Sequence, residues 1–344
     1  MNMFTIWKSD KRQSSLQEAT DLDTPLFSEL LLSLESRQRF LELAWKVQPP
    51  SPSKADNLER FEFYFHHYHE CCGKISSVIK TCSHRHVCQT IRELKDRTRE
   101  QCEEAVLQSL PAGSTAAMAA ELVDFTGKAA LFIDFADWDS TESLPIFLSR
   151  KIASKSTIKD EFRMRRSFNA RAFAMVAGIN VQWTRNLAEH LEVTGDDSDI
   201  AIFHCVAALD LYEQSEFNQM LPAGFVEETR RTLALMLPSA DQNTQAWLEK
   251  QKRKRKLDPR CGSCPHLKAS QRHTRDFDFW RDRIVVAKEV FDEHQPKGIL
   301  QVWRDNRNQV QWWTFWIAII LFILTIIACV EGALQVYKAY RPSS

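Results

Sequence analysis

Apolar residues recur at intervals of three and four along much of the chain, which is the period of an amphipathic α-helix. In the segment beginning LFSELLLSLESRQRF, this repeat includes Leu30, Leu34, Leu41 and Trp45. Three prolines in QPPSPSKAD follow, and proline cannot continue a helix. A second repeat, from Val87 to Ala105, predicts one long helix. The N-terminal region is therefore predicted to be all-helical.

The pattern changes after the LPAGS break, where short apolar runs alternate with turn residues. KAALFIDFADWDS predicts a strand followed by an acidic turn, and Asn169 is placed to cap a helix that ends at Gly178. INVQW predicts a strand, Thr184 to Leu191 a short helix, and LEVTGDDSDIAIF a strand, a turn and a strand. Helix, helix and hairpin in this order form the outline of a winged-helix module.

Two further helices are predicted before the C-terminal segment. One is LPAGFVEETRRTLALMLP, between two prolines, and the other is DFDFWRDRIVVAKEVFDEHQP, with Trp280, Ile284, Ala287 and Phe291 on one face. WLEKQKRKRKLDPRCGSCPHLKASQRH between them is predicted to be a basic, turn-rich connector. GILQVWRDNRNQ is predicted to be a short amphipathic piece.

The most distinctive run is WWTFWIAIILFILTIIACV, from Trp312 to Val330, which has nineteen residues and no charge. A helix of this length reaches about 28 Å, close to the hydrocarbon thickness of a bilayer. Tryptophans at one end and Tyr337 and Tyr340 at the other are placed as in an aromatic belt, which favours a membrane span over a buried core helix. The predicted anchor residues are Trp312, Trp313, Phe315, Trp316, Ile317, Ile320, Leu321, Leu324, Ile327, Val330 and Tyr337.

The N-terminal MNMFTIWKSDKRQSS carries charges where a secretory signal needs an apolar stretch. Insertion is then expected to wait for synthesis of the C-terminal span, which would leave the body in the cytosol. More Lys and Arg precede the span than follow it, in agreement with this orientation. We therefore predict a tail-anchored, single-pass membrane protein.

The fold class predicted from these patterns is mainly α, with a small α+β module of winged-helix outline and a C-terminal transmembrane helix. The predicted units are a mobile leader (1–25), a helical region (26–110), an α+β body (116–240), a basic linker with a CxxC motif (241–275), a juxtamembrane helix (276–311) and a transmembrane anchor and tail (312–337).

Composition narrows the function classes. The 344 residues include 45 basic and 45 acidic side chains, so net charge does not indicate a nucleic-acid or lipid partner. The nine glycines are too widely spaced for GxGxxG, GxxxxGKS/T or GxSxG, and HExxH is absent. This favours a protein that is not an enzyme. Nine cysteines in a cytosolic body predict thiols or metal ligands rather than disulfides.

Four segments together resemble a large group of uncharacterised fungal proteins with a C-terminal membrane helix. They are WTRNLAEHLEVTGDDSDIAIFH, LPAGFVEETRRTLALMLP, FWRDRIVVAKEVFDEHQP and WRDNRNQVQWWTFWIAIILFILTIIACVEGALQVYKAY. The resemblance covers roughly residues 120 to 341, and QWWTFW…EGALQVYKAY is its most specific part. It implies a membrane helix and a unified body, but no activity. The N-terminal third has no counterpart in this resemblance.

Histidines and cysteines concentrate in HHYHECCGKISSVIKTCSHRHVC. Four zinc ligands would be available from Cys71 or Cys72 with Cys82, His86 and Cys88, if a helix ended at Gly73. The alternative is a packed helical face that contains Tyr68, Cys72, Ile75, Ile79, Cys82 and His86. Cysteine behaves there as a small apolar residue, and the absence of paired CxxC spacing favours packing.

CGSCPH contains a CxxC motif, for which Cys261, Cys264, His266 and His273 are the candidate metal ligands. Zinc is the one cofactor that this motif would imply. Basic neighbours are expected to lower the pKa of its thiols, which would suit redox chemistry. An ordinary turn is the alternative.

Two stretches are strongly basic. The first has six cations in seven residues, namely Lys250, Lys252, Arg253, Lys254, Arg255 and Lys256. Repulsion predicts an extended linker here, with nuclear import or contact with anionic lipid as other uses. The second, from Arg150 to Arg171, precedes the winged-helix outline and offers phosphate contacts. A solvated surface is the simpler interpretation, and we do not expect a nucleic-acid partner.

Two smaller patterns complete the candidate sites. Asp134, Asp137, Asp139 and Glu142 form an acidic cluster without EF-hand spacing, which favours turn and cap chemistry over a cation site. Ala328 and Gly332 form a small-xxx-small pair through which two spans could approach closely.

The functional prediction is a cytosol-facing adapter that is anchored in an intracellular membrane. Its expected partners are membrane lipid, other proteins and a second copy of the span. A zinc-binding or thiol-redox protein is the first alternative. A membrane-tethered nucleic-acid-binding module is the second.

Overall fold

The computed structural model describes residues 21–27, 32–47, 59–152, 156, 160–293 and 309–340. Over these residues the protein is mainly helical, with a small three-stranded sheet and a long apolar helix at the C-terminal end. The predicted fold class is confirmed at this level. The GILQVWRDNRNQ piece, except its final Gln309, and the first twenty residues of the predicted leader lie outside the described residues.

The described residues form twelve α-helices. The N-terminal ones are α1 (Leu34–Phe40), α2 (Glu62–Cys72), α3 (His84–Glu93), α4 (Arg99–Ser109), α5 (Ala116–Ala130) and α6 (Leu144–Lys151). The central elements are α7 (Ala170–Ala172), β1 (Asn180–Thr184), β2 (Val193–Thr194), β3 (Asp199–Phe203) and α8 (Val206–Gln214). The C-terminal helices are α9 (Phe225–Met236), α10 (Gln242–Arg255), α11 (Arg281–Glu293) and α12 (Gln309–Tyr340). Helices α1 and α7 continue into π-helical turns at Leu41–Trp45 and Phe173–Ala177.

Short polar side chains cap several of these helices. Thr98 and Gln101 form a capping box at α4, because each side chain accepts a hydrogen bond from the other residue's backbone N–H, at 3.3 and 3.1 Å. Asn169 Oδ1 accepts from the Ala172 N–H at 3.0 Å and begins α7. The π-helical turn after α7 ends at Gly178, with a left-handed φ of 74°. The predicted start and end of this helix are confirmed.

The single long helix predicted from Val87 to Ala105 is wrong. α3 ends at Glu93, α4 begins at Arg99, and Asp96 between them has a left-handed φ of 57°. The capping box at Thr98 is the physical reason, because it satisfies backbone donors at the start of a separate helix. Apolar residues recur with the same spacing in both helices, so this spacing did not indicate where α3 ends and α4 begins.

The strand predicted in KAALFIDFADWDS is also wrong. α5 continues through Ala130, and an irregular turn follows. This turn is nevertheless buried, and the Phe132 carbonyl accepts a hydrogen bond from the Leu187 N–H at 2.8 Å. A Cβ on Gly127 would lie 2.8 Å from the Ile133 carbonyl oxygen, so glycine lets the chain reverse closely against α5. The apolar residues that suggested a strand therefore serve to pack a buried turn into the core.

The sheet has the strand order β1-β3-β2, with β3 parallel to β1 and antiparallel to β2. The strands predicted around this sheet are present. The short helix predicted from Thr184 to Leu191 is limited to a 3₁₀ turn at Leu187–Glu189, which Asn186 caps through the Ala188 N–H at 3.1 Å. The winged-helix outline stays a prediction. The parallel pairing of β1 with β3 was not predicted.

The helices after the sheet are held together by buried polar contacts. α9 lies between Pro222 and Pro238, as predicted. The Glu228 carboxylate of α9 accepts hydrogen bonds at 2.8 Å from the three backbone N–H groups of residues 278–280, at the start of α11. Trp280, Ile284, Ala287 and Phe291 are buried, which confirms the predicted face of α11.

One hydrophobic core extends from Leu22 to Phe291. Residues 21–25, at the end of the predicted leader, are packed rather than free, because Leu22 is buried and Pro25 forms a bridge with Ser83. The predicted helical, α+β, linker and juxtamembrane units all contribute side chains to this core. Their exact boundaries stay predictions.

Candidate functional site

The terminal helix α12 contains a 26-residue segment, Trp313–Lys338, that is long and apolar enough to cross a membrane. A buried core helix can pass the same test, but none of the most apolar part of this segment is buried. The predicted anchor residues lie on this one helix, although nothing is described of the Trp312 side chain. The C-terminal apolar helix predicted from the sequence is therefore confirmed.

The side chains of α12 are unsuited to water. The exposed fractions of Ile320, Leu324 and Val330 are 55%, 55% and 53%. Thr325, a hydroxyl residue near the middle of the segment, donates its Oγ1–H to the Leu321 carbonyl at 2.8 Å, so this polar group is satisfied inside the helix. An uninterrupted helix also satisfies its own backbone, which is the requirement for crossing hydrocarbon.

The small residues Ala328 and Gly332 are four positions apart on α12, and a Cβ on Gly332 would meet no atom within 4 Å. The surface around this glycine is therefore open enough for a neighbouring helix to approach. Self-association through this pair stays a prediction.

The CGSC motif forms a tight loop behind the end of α10. Cys261 and Cys264 are 0% and 4% exposed, and Gly262 has a φ of +87°. A Cβ on Gly262 would lie 2.4 Å from a Leu248 methyl carbon, so glycine is required there both for the backbone and for packing. The loop therefore has a structural role in the core.

Burial raises the pKa of both the Cys261 and the Cys264 thiol. The lowered thiol pKa expected from the basic neighbourhood is therefore wrong. The cations lie around the loop, but desolvation of the two sulfur atoms outweighs their attraction for a thiolate. This environment favours inert thiols over redox chemistry.

The four predicted metal ligands are not brought together. His266 is exposed, and His273 pairs with Arg163 in an isolated antiparallel bridge. Among the residues that the structure describes, no three His, Cys, Asp or Glu side chains are arranged to hold a metal ion. Zinc binding stays an untested prediction.

A polar network holds the cysteine loop. Asp210 of α8, 3% exposed, forms ion pairs with Arg230 of α9 at 2.5 Å and with Arg260 of the loop. Asp258, 1% exposed, accepts hydrogen bonds from the backbone N–H groups of Ala207 and Arg260, both at 2.9 Å. Two buried carboxylates thus connect the loop to α8 and α9. Sequence reasoning did not single out either of them.

The N-terminal histidine and cysteine cluster is a packed region. Helix α2 ends at Cys72, as the zinc hypothesis required, but Cys72, Cys82 and Cys88 are buried in the core. The single helical face of the packing hypothesis is wrong, because the chain after Gly73 is irregular until His84. The apolar role that this hypothesis gave to the cysteines agrees with their burial.

The closest cysteine–histidine pair among the described residues is Cys71 with His67, whose Sγ and Nε2 atoms are 3.6 Å apart. His67 Nε2 also lies 3.1 Å from the Lys128 carbonyl, and Nδ1 lies 3.1 Å from the Arg185 guanidinium. Burial lowers the pKa of His67 to about 4 and raises that of Cys71 to about 11. Both groups are therefore neutral near pH 7, which does not suit an activated thiolate.

The extended conformation predicted for the basic run is wrong. Lys250 to Arg255 form the last turns of α10, and Lys256 ends the helix with a φ of 52°. Asp241 Oδ1 caps α10 through the Asn243 N–H at 3.1 Å, and the buried Leu248 attaches the helix to the core. Cations at a helix C-terminus also interact favourably with its dipole, which offsets part of their mutual repulsion.

The acidic cluster performs the turn and cap chemistry that was predicted. Asp139 Oδ1 accepts from the Thr141 N–H at 2.9 Å, and Asp134 Oδ1 accepts from the Ala136 N–H at 3.0 Å. The other two carboxylates pair with the start of the second basic stretch, Asp137 with Lys151 at 2.5 Å and Glu142 with Arg150 at 2.7 Å. These pairs remove part of its positive charge.

The described residues form, among others, two open clefts on the body, and neither was predicted, because residues distant in sequence form them. The larger, of about 580 Å³, lies beside the π-helical turn after α1 and the end of α3. Its cations are largely paired, since Lys46 and Lys95 contact Glu216 at 2.8 and 3.6 Å. The second, of about 440 Å³, lies between residues 163–168 and α11.

Timed thiol labelling tests the inert character of the cysteine loop. In the native full chain we expect Cys261 and Cys264 to react with a maleimide at least about tenfold more slowly than in the unfolded chain, because the thiolate is the reactive form. Mass spectrometry of the labelled peptides measures both rates, and the denatured protein is the control. Equal labelling of Cys264 in the native and unfolded proteins would contradict the structural role.

Comparison with known proteins finds no match. No family model, no curated protein and no solved structure is significantly similar to this chain.

Proposed function

We propose that this protein is a single-pass membrane protein whose helical body faces the cytosol and acts as an adapter through contacts with other proteins. The observation that carries the proposal is α12, an exposed apolar helix of membrane-spanning length that follows a packed body. The excess of cations before the span supports the cytosolic orientation. Membership of the fungal family suggested by the tail motif is part of the same proposal.

Exposed apolar side chains on the body support protein contacts. Phe27, Leu34 and Ile146 are 54%, 58% and 61% exposed, which is high for large apolar residues outside a membrane helix. Phe27 also has the Lys80 ammonium 4.7 Å from its ring centroid, so an apolar and a cationic group are presented together. Aromatic residues such as Phe27 are enriched at protein interfaces.

The alternatives have weaker support. A thiol-redox protein would need accessible thiols, whereas the CxxC thiols are buried with raised pKa values. A zinc protein would need converging ligands, and the described residues present no such group. A tethered nucleic-acid-binding module would use the winged-helix outline and the basic stretch, whose first two cations are paired with carboxylates. Both alternatives stay predictions.

Alkaline carbonate extraction tests the anchor. We expect the full chain to stay with the membrane pellet and the double variant I320R/L324R to move to the supernatant. Each arginine at the centre of a span opposes insertion by about 2.5–3.5 kcal/mol. The matched control is L34R/I146R, which places the same two charges at exposed apolar positions of the body.

Two outcomes decide the proposal. Extraction of the unmodified chain by carbonate would refute the anchor. If deletion of residues 312–337 left the localisation and the co-purifying proteins of an N-terminally tagged chain unchanged, the adapter role would be refuted.

A further inference from the structure

The second cleft, which we call the arginine groove, lies between residues 163–168 and the C-terminal half of α11. One wall contains Arg163, Met164 and Phe168, and the other contains Lys288 and Phe291. The first wall is held in place by pairing with residues 272–274, because the Met164 N–H donates to the Arg272 carbonyl at 2.9 Å and the Thr274 N–H donates to the Phe162 carbonyl at 3.0 Å. This pairing places Arg272 beside Arg163.

Three arginines at this groove lack acidic partners: Arg163 lines the groove, and Arg166 and Arg272 lie beside it. Arg163, Arg166 and Arg272 form no ion pair with any acidic side chain in the described part of the chain. The Nε atom of Arg272 is buried and has no hydrogen-bond acceptor among those residues. Burial lowers the pKa of Arg272, and the nearby charges of Arg166 and Arg163 lower it further. The groove therefore concentrates uncompensated positive charge.

The floor of the groove is apolar and rigid. Met164 and Phe168 are 1% and 4% exposed, and the Phe168 ring centroid lies 5.8 Å from that of Phe291 in an edge-on contact. The one acidic residue of the lining, Asp292, is engaged by Lys288. A ligand that fits this surface would combine a strongly anionic group with adjoining apolar or weakly polar atoms.

The groove lies where the body connects to the span. Phe291 and Asp292 line it, and α11 ends one residue later, at Glu293. Sixteen residue steps lead from Glu293 to the start of α12 at Gln309, so the chain between them reaches at most about 55 Å. The bilayer surface is thus always within reach of this end of the body.

We propose that the arginine groove binds the phosphate group of an anionic phospholipid, of the phosphoinositide class, in the same bilayer that holds α12. Guanidinium groups match phosphate oxygens through paired hydrogen bonds, and a phosphomonoester carries nearly two negative charges. The inference rests on the proposed membrane anchor and adds a lipid specificity to it.

The basic run of α10 is the competing surface for anionic lipid. Its exposed cations Lys250, Lys254 and Arg255 project from a convex helix that offers no cavity and no apolar floor. Each would add attraction to any anionic surface, but none is arranged to select a headgroup. Removing three cations from the groove is therefore expected to weaken phosphoinositide binding more than removing three cations from this run.

The test uses the full chain in micelles of a neutral maltoside detergent, titrated with dioctanoyl phosphatidylinositol phosphate and followed by thermophoresis. We expect saturable binding that R163Q/R166Q/R272Q weakens by at least about tenfold, because each cation near an anionic headgroup contributes measurably. The matched control K250Q/K254Q/R255Q removes the same charge from α10 and is expected to keep its affinity within about twofold.

Other probes identify the source of the phosphate. Dioctanoyl phosphatidylcholine and inorganic phosphate are expected not to compete with the phosphoinositide. Competition by inorganic phosphate at equal concentration would overturn the assignment to lipid, and tighter binding of a single-stranded oligonucleotide would overturn it in favour of nucleic acid. Equal weakening of the two triple variants would also overturn it, since the charge would then act without a site.

Two further measurements separate a loss of lipid binding from unfolding of the variant and from loss of the anchor. If the groove triple variant unfolds at a lower temperature, R163Q alone is compared with K254Q alone, because both side chains are exposed. An unchanged affinity for R163Q would then overturn the proposal. Carbonate extraction of the unmodified chain reports on the anchor separately, so absence of phosphoinositide binding by a chain that resists extraction would refute the groove alone.

Discussion

Replacing Asp210 by alanine is expected to lower the free energy of unfolding of the body by about 3 kcal/mol. The substitution removes the one carboxylate among the described residues that pairs with both Arg230 and Arg260, and it leaves both guanidinium groups without their buried ion-pair partner. The cysteine loop would lose its ionic connection to α8. Urea unfolding of the full chain in detergent, followed by tryptophan fluorescence, measures the change.

Glu213 provides the matched control for this experiment. Its carboxylate also pairs with Arg230, at 3.2 Å, but the Glu213 side chain is 63% exposed. We therefore expect Glu213→Ala to cost less than about 1 kcal/mol. Equal losses of stability from the two substitutions would show that burial of Asp210 is not the source of its effect.

Acidification from about pH 7 to about pH 5.5 is expected to lower the free energy of unfolding by about 3–4 kcal/mol through three buried histidines. Burial lowers the pKa of His67 to about 4 and that of His190 and His204 to about 3, from the ordinary 6.5. Nearby guanidinium groups act in the same direction, Arg283 on His190 and Arg185 on the other two.

The direction follows from proton uptake on unfolding. Above pH 6.5 each histidine is mostly neutral in both states, so this stability is fully present. As the pH falls below 6.5, the unfolded chain binds protons that the folded body excludes, and the stability is progressively lost towards the folded pKa values of about 3 and 4. Between pH 7 and pH 5.5 each histidine contributes about 1.2 kcal/mol of this loss.

Hydrogen bonds identify the neutral forms. His190 Nδ1 accepts from the Phe203 N–H at 3.2 Å while its Nε2–H donates to Thr232 Oγ1 at 2.7 Å. His204 Nδ1 accepts from the Asp258 N–H at 3.2 Å. Protonation would convert these acceptor nitrogens into donors facing other donors.

Unfolding curves at several pH values measure the effect. His204→Asn is expected to retain an acceptor for the Asp258 N–H and to reduce the proton uptake by about one. His266→Asn, at an exposed position, is the control and should leave the pH dependence unchanged. A stability that does not change between these pH values would contradict the neutral, buried state of the three rings.

Local signals predicted several elements of the fold correctly. Each of these signals acts within one segment. They are the prolines that flank α9, the cap at Asn169 with the glycine at 178, and the long uncharged run within α12. Such features depend on the backbone and side chains of one segment and on their contact with solvent, so the local sequence is enough to predict them. The long apolar helix α12, the part of the candidate site with the clearest local pattern, was predicted for the same reason.

Features that depend on distant contacts were missed. The segment near Phe132, where a strand was expected, contains apolar residues that favour strands. It instead forms a turn that packs against α2 and the sheet, with the Phe132 ring centroid 4.2 Å from that of His67. Arg163 and Arg272 meet only because a short bridge brings their segments together. Sequence spacing contains no signal for either arrangement.

With α12 spanning a membrane as proposed, its unbroken course through Glu331 would make the protein sensitive to bilayer thickness. Its uncharged part, Trp312 to Val330, reaches about 28 Å and so matches a thin bilayer of about 27 Å without hydrophobic mismatch. A sterol-rich bilayer of about 32–33 Å would have to thin locally or draw the Glu331 carboxylate towards the acyl chains. The helix would therefore sort the protein towards thinner membranes.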